Sequence, residues 1–294
     1  MTEIITSVID LKKTLLDLKT NHKFHFIPTM GNLHFGHLEL IEKATKESGK
    51  SLVSIFVNPL QFNQTSDFNS YPRTLERDVK FLKKKKVDYI FIPEENNFLN
   101  VINNHPKVAI RDLNKVLCGK DRFGHFEGVV SIIYIFLKII NPDFIYLGKK
   151  DFQQILIIKK VIKDLNFKTK VKILKTIREK DGVAYSSRNS NLSKLERKIL
   201  PKLFKCLNTI KNEINNNKFK INDINSFKED LIKFGFKKVN YLEIRKEANL
   251  NLINSKFSKC RIFASVTLSK TRLIDNLGLG FLKVKGSLVI RGKN

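Results

Sequence analysis

The chain has 294 residues, 42% of them hydrophobic, which is enough for two domains with substantial cores. Its formal charge of +27 admits nucleic acid as a partner, yet the lysines are spread through the whole chain and only Lys83 to Lys86 forms a run. Three scattered cysteines, Cys118, Cys206 and Cys260, exclude a disulfide framework and a thiolate zinc site. No apolar run is long enough to span a bilayer, and the amino terminus shows no basic region followed by an apolar core, so a cytoplasmic location is expected.

The predicted elements alternate over the first two thirds of the chain. A strand over Phe24 to Ile27, closed by Pro28, leads to a helix over Leu38 to Ser48. Further strands are expected at Leu52 to Val57, Tyr89 to Ile92, Phe144 to Leu147 and Val171 to Leu174, with helices at Leu75 to Lys85, Val129 to Ile139 and Phe152 to Leu165. This alternation predicts a parallel sheet covered on both faces, hence an α/β, Rossmann-like nucleotide-binding domain. After Asn189 the pattern changes to a lysine-rich helix from Ser193 to Ile214, a polar Asn215 to Asn217 tract, a short helix near Phe227 to Phe234, and strands near Val239, Ile262 and Leu288. Few strands in mixed order predict a small α+β carboxy-terminal domain, with the boundary near Val183: residues 1–182 form the first domain and 183–294 the second.

The most informative segment is Pro28-Thr29-Met30-Gly31-Asn32-Leu33-His34-Phe35-Gly36-His37. It sets two histidines three residues apart where a strand hands over to a helix. A helix beginning near Gly36 aims its unpaired backbone N–H groups and positive dipole end into the turn, which suits a polyphosphate. Histidine side chains there donate to phosphate oxygens, and two glycines permit close backbone approach. No Gly-x-x-x-x-Gly-Lys-Ser/Thr loop and no Gly-x-Gly-x-x-Gly turn occurs, so the histidine turn is the phosphate cradle that an ATP-using chain of this pattern requires.

The His-x-Gly-His string and its flanks resemble the pantothenate synthetase (pantoate–β-alanine ligase) family within the His-x-Gly-His nucleotidyltransferases. The resemblance continues through Ser54-Ile55-Phe56-Val57-Asn58-Pro59-Leu60-Gln61-Phe62, Tyr71-Pro72-Arg73-Thr74, Gly124-His125-Phe126-Glu127-Gly128-Val129, and Gly148-Lys149-Lys150-Asp151-Phe152-Gln153-Gln154. It then takes in Arg178-Glu179-Lys180-Asp181-Gly182, Ser186-Ser187-Arg188-Asn189, Tyr241-Leu242-Glu243, and Thr271-Arg272-Leu273-Ile274-Asp275-Asn276, so it runs almost end to end.

The resemblance implies an AMP-forming ligase. ATP and the carboxylate of pantoate form pantoyl adenylate and pyrophosphate, and the β-alanine amine then displaces AMP to give pantothenate. A carboxylate approaching the α-phosphate needs positive charge and donors around the transferred group. His37, His34 and Lys150 are the catalytic candidates, with His37 polarising the phosphates or donating a proton. Family resemblance assigns ATP to Met30, Gly31, Asn32, Leu33, His34, Phe35, Gly36 and His37, to Gly148, Lys149, Lys150 and Asp151, and to Ile177, Tyr185, Ser186, Ser187 and Arg188. It gives pantoate to Gln61 and Gln154, β-alanine to Gln61, and the carboxy-terminal domain the part of a lid. Mg²⁺ is expected on the phosphates, held largely by nucleotide oxygens and water, with Asp78 as the candidate metal partner. A homodimer is likewise implied. Lys149, Tyr185 and Arg77 depart from the family pattern, where glutamate, methionine and an acidic residue are common. Two other readings are another His-x-Gly-His nucleotidyltransferase that stops at an adenylated product, and a basic nucleic-acid-binding protein.

Overall fold

The computed structural model describes residues 2–18, 22–110 and 112–292, which form two compact units, 1–114 with 122–177, and 115–121 with 178–294.

In the first unit the chain runs β1 (Glu3–Ile5), α1 (Val8–Leu18), β2 (Phe24–Thr29), α2 (Phe35–Lys46), β3 (Lys50–Ile55), α3 (Thr65–Asn69), α4 (Leu75–Lys84), β4 (Tyr89–Phe91) and α5 (Glu95–Asn103). After α6 (Leu117–Asp121), which belongs to the second unit, it returns through α7 (His125–Ile140), β5 (Phe144–Gly148), α8 (Phe152–Asp164) and β6 (Lys170–Leu174). The six strands pair in parallel in the order β1-β4-β3-β2-β5-β6. The middle strands are buried along nearly their whole length, so Phe24, Phe26, Ile27, Leu52, Val53, Ile90 and Ile145 make the near-continuous apolar runs expected of strands covered on both faces.

Several boundaries differ from the sequence reading. β2 continues through Pro28 to Thr29: Thr29 O accepts the Phe56 N–H, so the even-numbered positions face β5, whose pairing ends at Phe26, and no ladder bond is asked of Pro28. The helix expected from Val129 begins four residues earlier at His125, behind Gly124 at φ +80°, and Gly128 in its first turn is required by packing, since a Cβ there would sit 2.1 Å from Leu60 O. β1, α1 and α5 were not expected at all. Helix α7 buries Phe126, Val129, Val130, Ile132, Ile133, Ile135, Phe136, Leu137, Ile139 and Ile140, which makes it a core helix. Among the described residues no helix is long and apolar enough to cross a membrane.

The second unit contains α9 (Lys194–Ile199), α10 (Pro201–Asn215), α11 (Ile224–Lys233) and an antiparallel sheet ordered β10-β9-β8-β7, from β7 (Lys238–Lys246), β8 (Ser258–Leu268), β9 (Thr271–Lys285) and β10 (Leu288–Arg291). The single helix expected over Ser193 to Ile214 is two, because Pro201 lacks an N–H and serves instead as the first residue of α10. Leu203, Leu207, Ile210 and Ile214 of α10 pack on Leu242, Ile262, Val266 and Leu279 of the sheet. Arg178 is pinned to β9 by a bidentate pair with buried Asp275, at 2.6 and 2.8 Å.

Candidate active site

β2 and β5 are neighbours, but their connections leave in opposite directions: β2 leads outward to β3, and β5 outward to β6. Ligands of open parallel sheets bind beyond the carboxyl ends of the strands at such a reversal. Here those two ends carry the histidine turn and Lys149-Lys150-Asp151.

The turn is fixed from behind by α4. Asp78 is 1% exposed; its Oδ2 accepts the Asn32 N–H at 2.7 Å and the Thr74 hydroxyl at 3.0 Å, and its Oδ1 accepts the Leu33 N–H at 3.0 Å. Gly31 takes φ +74° against that carboxylate, and a Cβ would meet Asp78 Oδ2 at 3.1 Å. Arg77 closes the outer side by donating to Asn32 Oδ1 at 2.8 Å. The residue that departs from the family pattern is thereby a strut of the turn. Neither Arg77 nor Asp78 as a clamp was anticipated, since the contact spans 45 or 46 residues of chain.

Both histidines cap α2 with the same ring atom. His34 is the N-cap, and its Nδ1 accepts the Gly36 N–H at 3.1 Å; His37 Nδ1 reaches back to the His34 N–H at 3.3 Å. Because a backbone N–H only donates, Nδ1 is unprotonated in both rings and each neutral imidazole carries its proton on Nε2. The rings stack with centroids 4.0 Å apart. Burial, then the neighbouring His37 and the Lys150 cation, lower the His34 pKa to about 2; burial, then Lys150, lower that of His37 to about 4. With neutral rings the pair present Nε2–H hydrogen-bond donors. Six backbone N–H groups of the turn already have partners within the protein. Gly31 donates to Thr29 Oγ1, Asn32 and Leu33 donate to Asp78, His34 and Gly36 to the rings, and His37 to His34 O.

Lys150, in the 3-10 turn Lys149–Asp151, has its ammonium 3.6 Å from Asp151 Oδ1 and is close enough to both rings to depress their protonation. Beside it, a Cβ built on Gly148 meets nothing within 4 Å, so the carboxyl end of β5 is open. Gln61 ends the 3-10 turn Pro59–Gln61, and its side-chain amide touches the sulfur of Met30, the residue that follows β2. The two glutamines of the next motif separate: Gln153 is buried and donates to Leu113 O at 2.7 Å, whereas Gln154 is half-buried one position on. Ile177 is half-buried at the end of the first unit.

The second unit carries Tyr185, Ser186, Ser187 and Arg188. Ser186 caps the 3-10 turn Ser187–Asn191, its hydroxyl accepting the Arg188 N–H at 3.3 Å, and all four are half-buried. No group of three His, Cys, Asp or Glu side chains able to hold a metal occurs among the described residues. With two backbone N–H groups and a hydroxyl on its oxygens and the Arg77 guanidinium 3.6 Å away, the Asp78 carboxylate does not fit a Mg²⁺ ligand.

A parallel sheet with a histidine-capped helix and a lysine at its switch point, and with no glycine-rich phosphate loop, defines an α/β enzyme of the Rossmann-like type. The chain belongs to the pantoate-beta-alanine ligase family, whose sequence profile matches residues 3–278. It is 45% identical over 264 residues to the pantothenate synthetase of Buchnera aphidicola subsp. Acyrthosiphon pisum (strain Tuc7), covering 88% of this chain and 91% of that protein. Its structure is similar to that of pantothenate synthetase from Thermus thermophilus, with a TM-score of 0.87 and 32% identity over 95% of this chain and 100% of the other. It is also similar to pantoate-beta-alanine ligase from Francisella tularensis complexed with beta-gamma ATP and beta-alanine, with a TM-score of 0.82 and 32% identity over 95% and 98% of the two chains.

Proposed function

We propose that the protein condenses pantoate with β-alanine at the expense of ATP, through a pantoyl-adenylate intermediate, and that the histidine turn with Lys150 is where the phosphates react. The observation that carries this reading is the double cap: both Nδ1 atoms are committed to the helix, so two Nε2–H donors are held at a switch point beside a lysine cation.

In the first step a pantoate carboxylate oxygen forms a bond to the α-phosphorus, and the bond to the β-phosphate bridging oxygen breaks, releasing pyrophosphate. Fixed neutral donors and one ammonium stabilise the charge that builds on the phosphoryl oxygens without reorganising. In the second, the β-alanine nitrogen attacks the acyl carbon, the C–O bond to AMP breaks, and the amine proton is lost to solvent. Gln61 and Gln154 hold pantoate as neutral amides that leave its carboxylate nucleophilic, with Gln61 also facing β-alanine. Met30 to His37, Gly148 to Asp151, Ile177 and the second unit's Tyr185, Ser186, Ser187 and Arg188 keep the ATP assignment that the resemblance gives them. Mg²⁺ arrives with ATP as part of the substrate. A cytoplasmic homodimer completes the proposal.

The experiment is AMP and pyrophosphate release from Mg-ATP with pantoate alone, β-alanine alone and both together, the product identified by mass. AMP with pantothenate only when both acids are present is expected. Pyrophosphate without amide would instead mark an adenylyltransferase, and no turnover with tight, sequence-independent nucleic-acid binding would mark the basic surface as the working one.

A further inference from the structure

Gln61 is held by its backbone from a second motif. Its carbonyl oxygen, at the end of the 3-10 turn, accepts the His125 Nδ1–H at 2.7 Å and the Arg122 Nη2–H at 3.2 Å. A carbonyl only accepts, so His125 donates from Nδ1; Arg122 only donates, so its Nη1, 3.0 Å away, donates to His125 Nε2. The imidazole is thereby a neutral wedge of one tautomer between a guanidinium and a carbonyl. Arg122 is 9% exposed, and its remaining donors face Asn63 Oδ1 at 3.4 Å and the Asp67 carboxylate at 3.7 Å. The start of the same turn is tied down by Asn58, 1% exposed, whose Nδ2 donates to Gly128 O at 2.9 Å and whose Oδ1 accepts the Leu60 N–H at 3.2 Å. Between these ends Gly128 lets α7 touch the turn's backbone. These tethers hold the backbone of the turn, and from it the Gln61 side-chain amide points to Met30 at the carboxyl end of β2.

We infer that His125 and Arg122 are positioning residues for Gln61: they fix the backbone from which its amide addresses the hydroxy-acid substrate. The inference rests on the proposed reading of Gln61 as a pantoate contact. Truncating Gln61 to alanine removes the amide but keeps the carbonyl that His125 and Arg122 hold. A framework role for His125 therefore survives in that background, whereas a positioning role disappears.

The test is a double-mutant cycle on His125→Leu and Gln61→Ala, read as pantoate Kd by calorimetry, pantoate and ATP KM in turnover, and thermal melting. His125→Leu is expected to weaken pantoate binding about tenfold or more with ATP KM unchanged. His125→Asn, whose amide N–H stands where Nδ1–H stood, is expected to restore most of the loss. In the Gln61→Ala background, His125→Leu should change pantoate Kd by less than about twofold. Multiplicative losses in the cycle, a joint rise of pantoate and ATP KM, or no change in His125→Leu would overturn the inference while the ligase reading stands. Wild-type protein that neither binds pantoate nor forms pantothenate would end both.

Discussion

His34 and His37 meet across one helical turn, each using Nδ1 to accept a backbone N–H, from Gly36 at 3.1 Å and from His34 at 3.3 Å. Capping and chemistry are thus divided between the two nitrogens of one ring, and two substitutions at His37 separate them. In His37→Asn the side-chain oxygen takes the place of Nδ1 and the Nε2–H donor is lost. We expect its melting temperature to stay near wild type while kcat falls about 10²–10³-fold, the scale of a lost oxyanion-type donor. In His37→Ala the same kinetic loss should be joined by about 0.5–2 kcal/mol of lost cap stability. Steady-state kinetics and thermal melts on both variants check this, and near-normal turnover in either would remove the ring from the mechanism.

The same burial gives a signed pH dependence. Folding lowers the histidine pKa from 6.5 to about 4 for His37, with burial the larger cause and Lys150 the second, and to about 2 for His34. Between the unfolded and folded values the unfolded chain binds more protons, so stability rises with pH there. The contribution is fully present above pH 6.5 and is lost as pH falls toward 4 and below, with a slope approaching about 1.4 kcal/mol per pH unit for each histidine. Urea denaturation midpoints of wild type and His37→Asn, close together at pH 7.5 and followed down to pH 4.5 (about the window these shifts define), should separate as pH falls, the wild type losing stability faster, because only the wild type carries the His37 term. Parallel curves would show that His37 titrates normally.

How much of this was legible in the sequence follows from where the forces act. The parallel strands are apolar along both faces and stand out as runs, so Phe24, Leu52, Tyr89 and Phe144 each begin, or lie within two residues of the start of, a strand of the sheet. β9 escaped because its buried positions include Asp275 and Asn276, and because it carries a bulge of its own, the register passing from Gly278 opposite Arg261 to Gly280, at φ +83°, opposite Cys260, so that Leu279 is the extra residue that breaks the alternation a strand is recognised by. The histidine turn was visible as a motif, yet its use of imidazole nitrogens as helix caps was not, since caps are sought among Ser, Thr, Asn and Asp. Asp78 carries no local signal at all. Its partners Asn32 and Leu33 are 46 and 45 residues away, and only the packing of α4 behind β2 brings them together.

That packing makes Asp78 a stability residue with a kinetic consequence. In Asp78→Asn one oxygen becomes an NH₂ aimed at a backbone N–H, so a buried donor is left without an acceptor. A loss of about 2–4 kcal/mol is expected in urea denaturation, with ATP KM raised because the histidine turn loosens. Mg²⁺ titration separates this from metal binding. Restoration of Asp78→Asn activity by excess Mg²⁺, with stability unchanged, would make the carboxylate a metal ligand instead.

The neighbouring glutamines of α8 supply the sharpest contrast. Gln153 is 5% exposed and its amide donates to Leu113 O, tying α8 to the chain just before α6, whereas Gln154 is half-buried on the adjoining face of the same helix. Successive helical positions point about 100° apart, so one glutamine serves the framework and the next is free to face substrate. Gln154→Ala is expected to raise pantoate KM about tenfold or more with an unchanged melt, and Gln153→Leu to cost about 1–3 kcal/mol by leaving the Leu113 carbonyl unpaired, with pantoate KM within about twofold of wild type. Parallel melts and pantoate titrations decide between them: if Gln153→Leu is the variant that loses pantoate, the two roles are exchanged, and the helix presents to substrate the face assigned here to the framework.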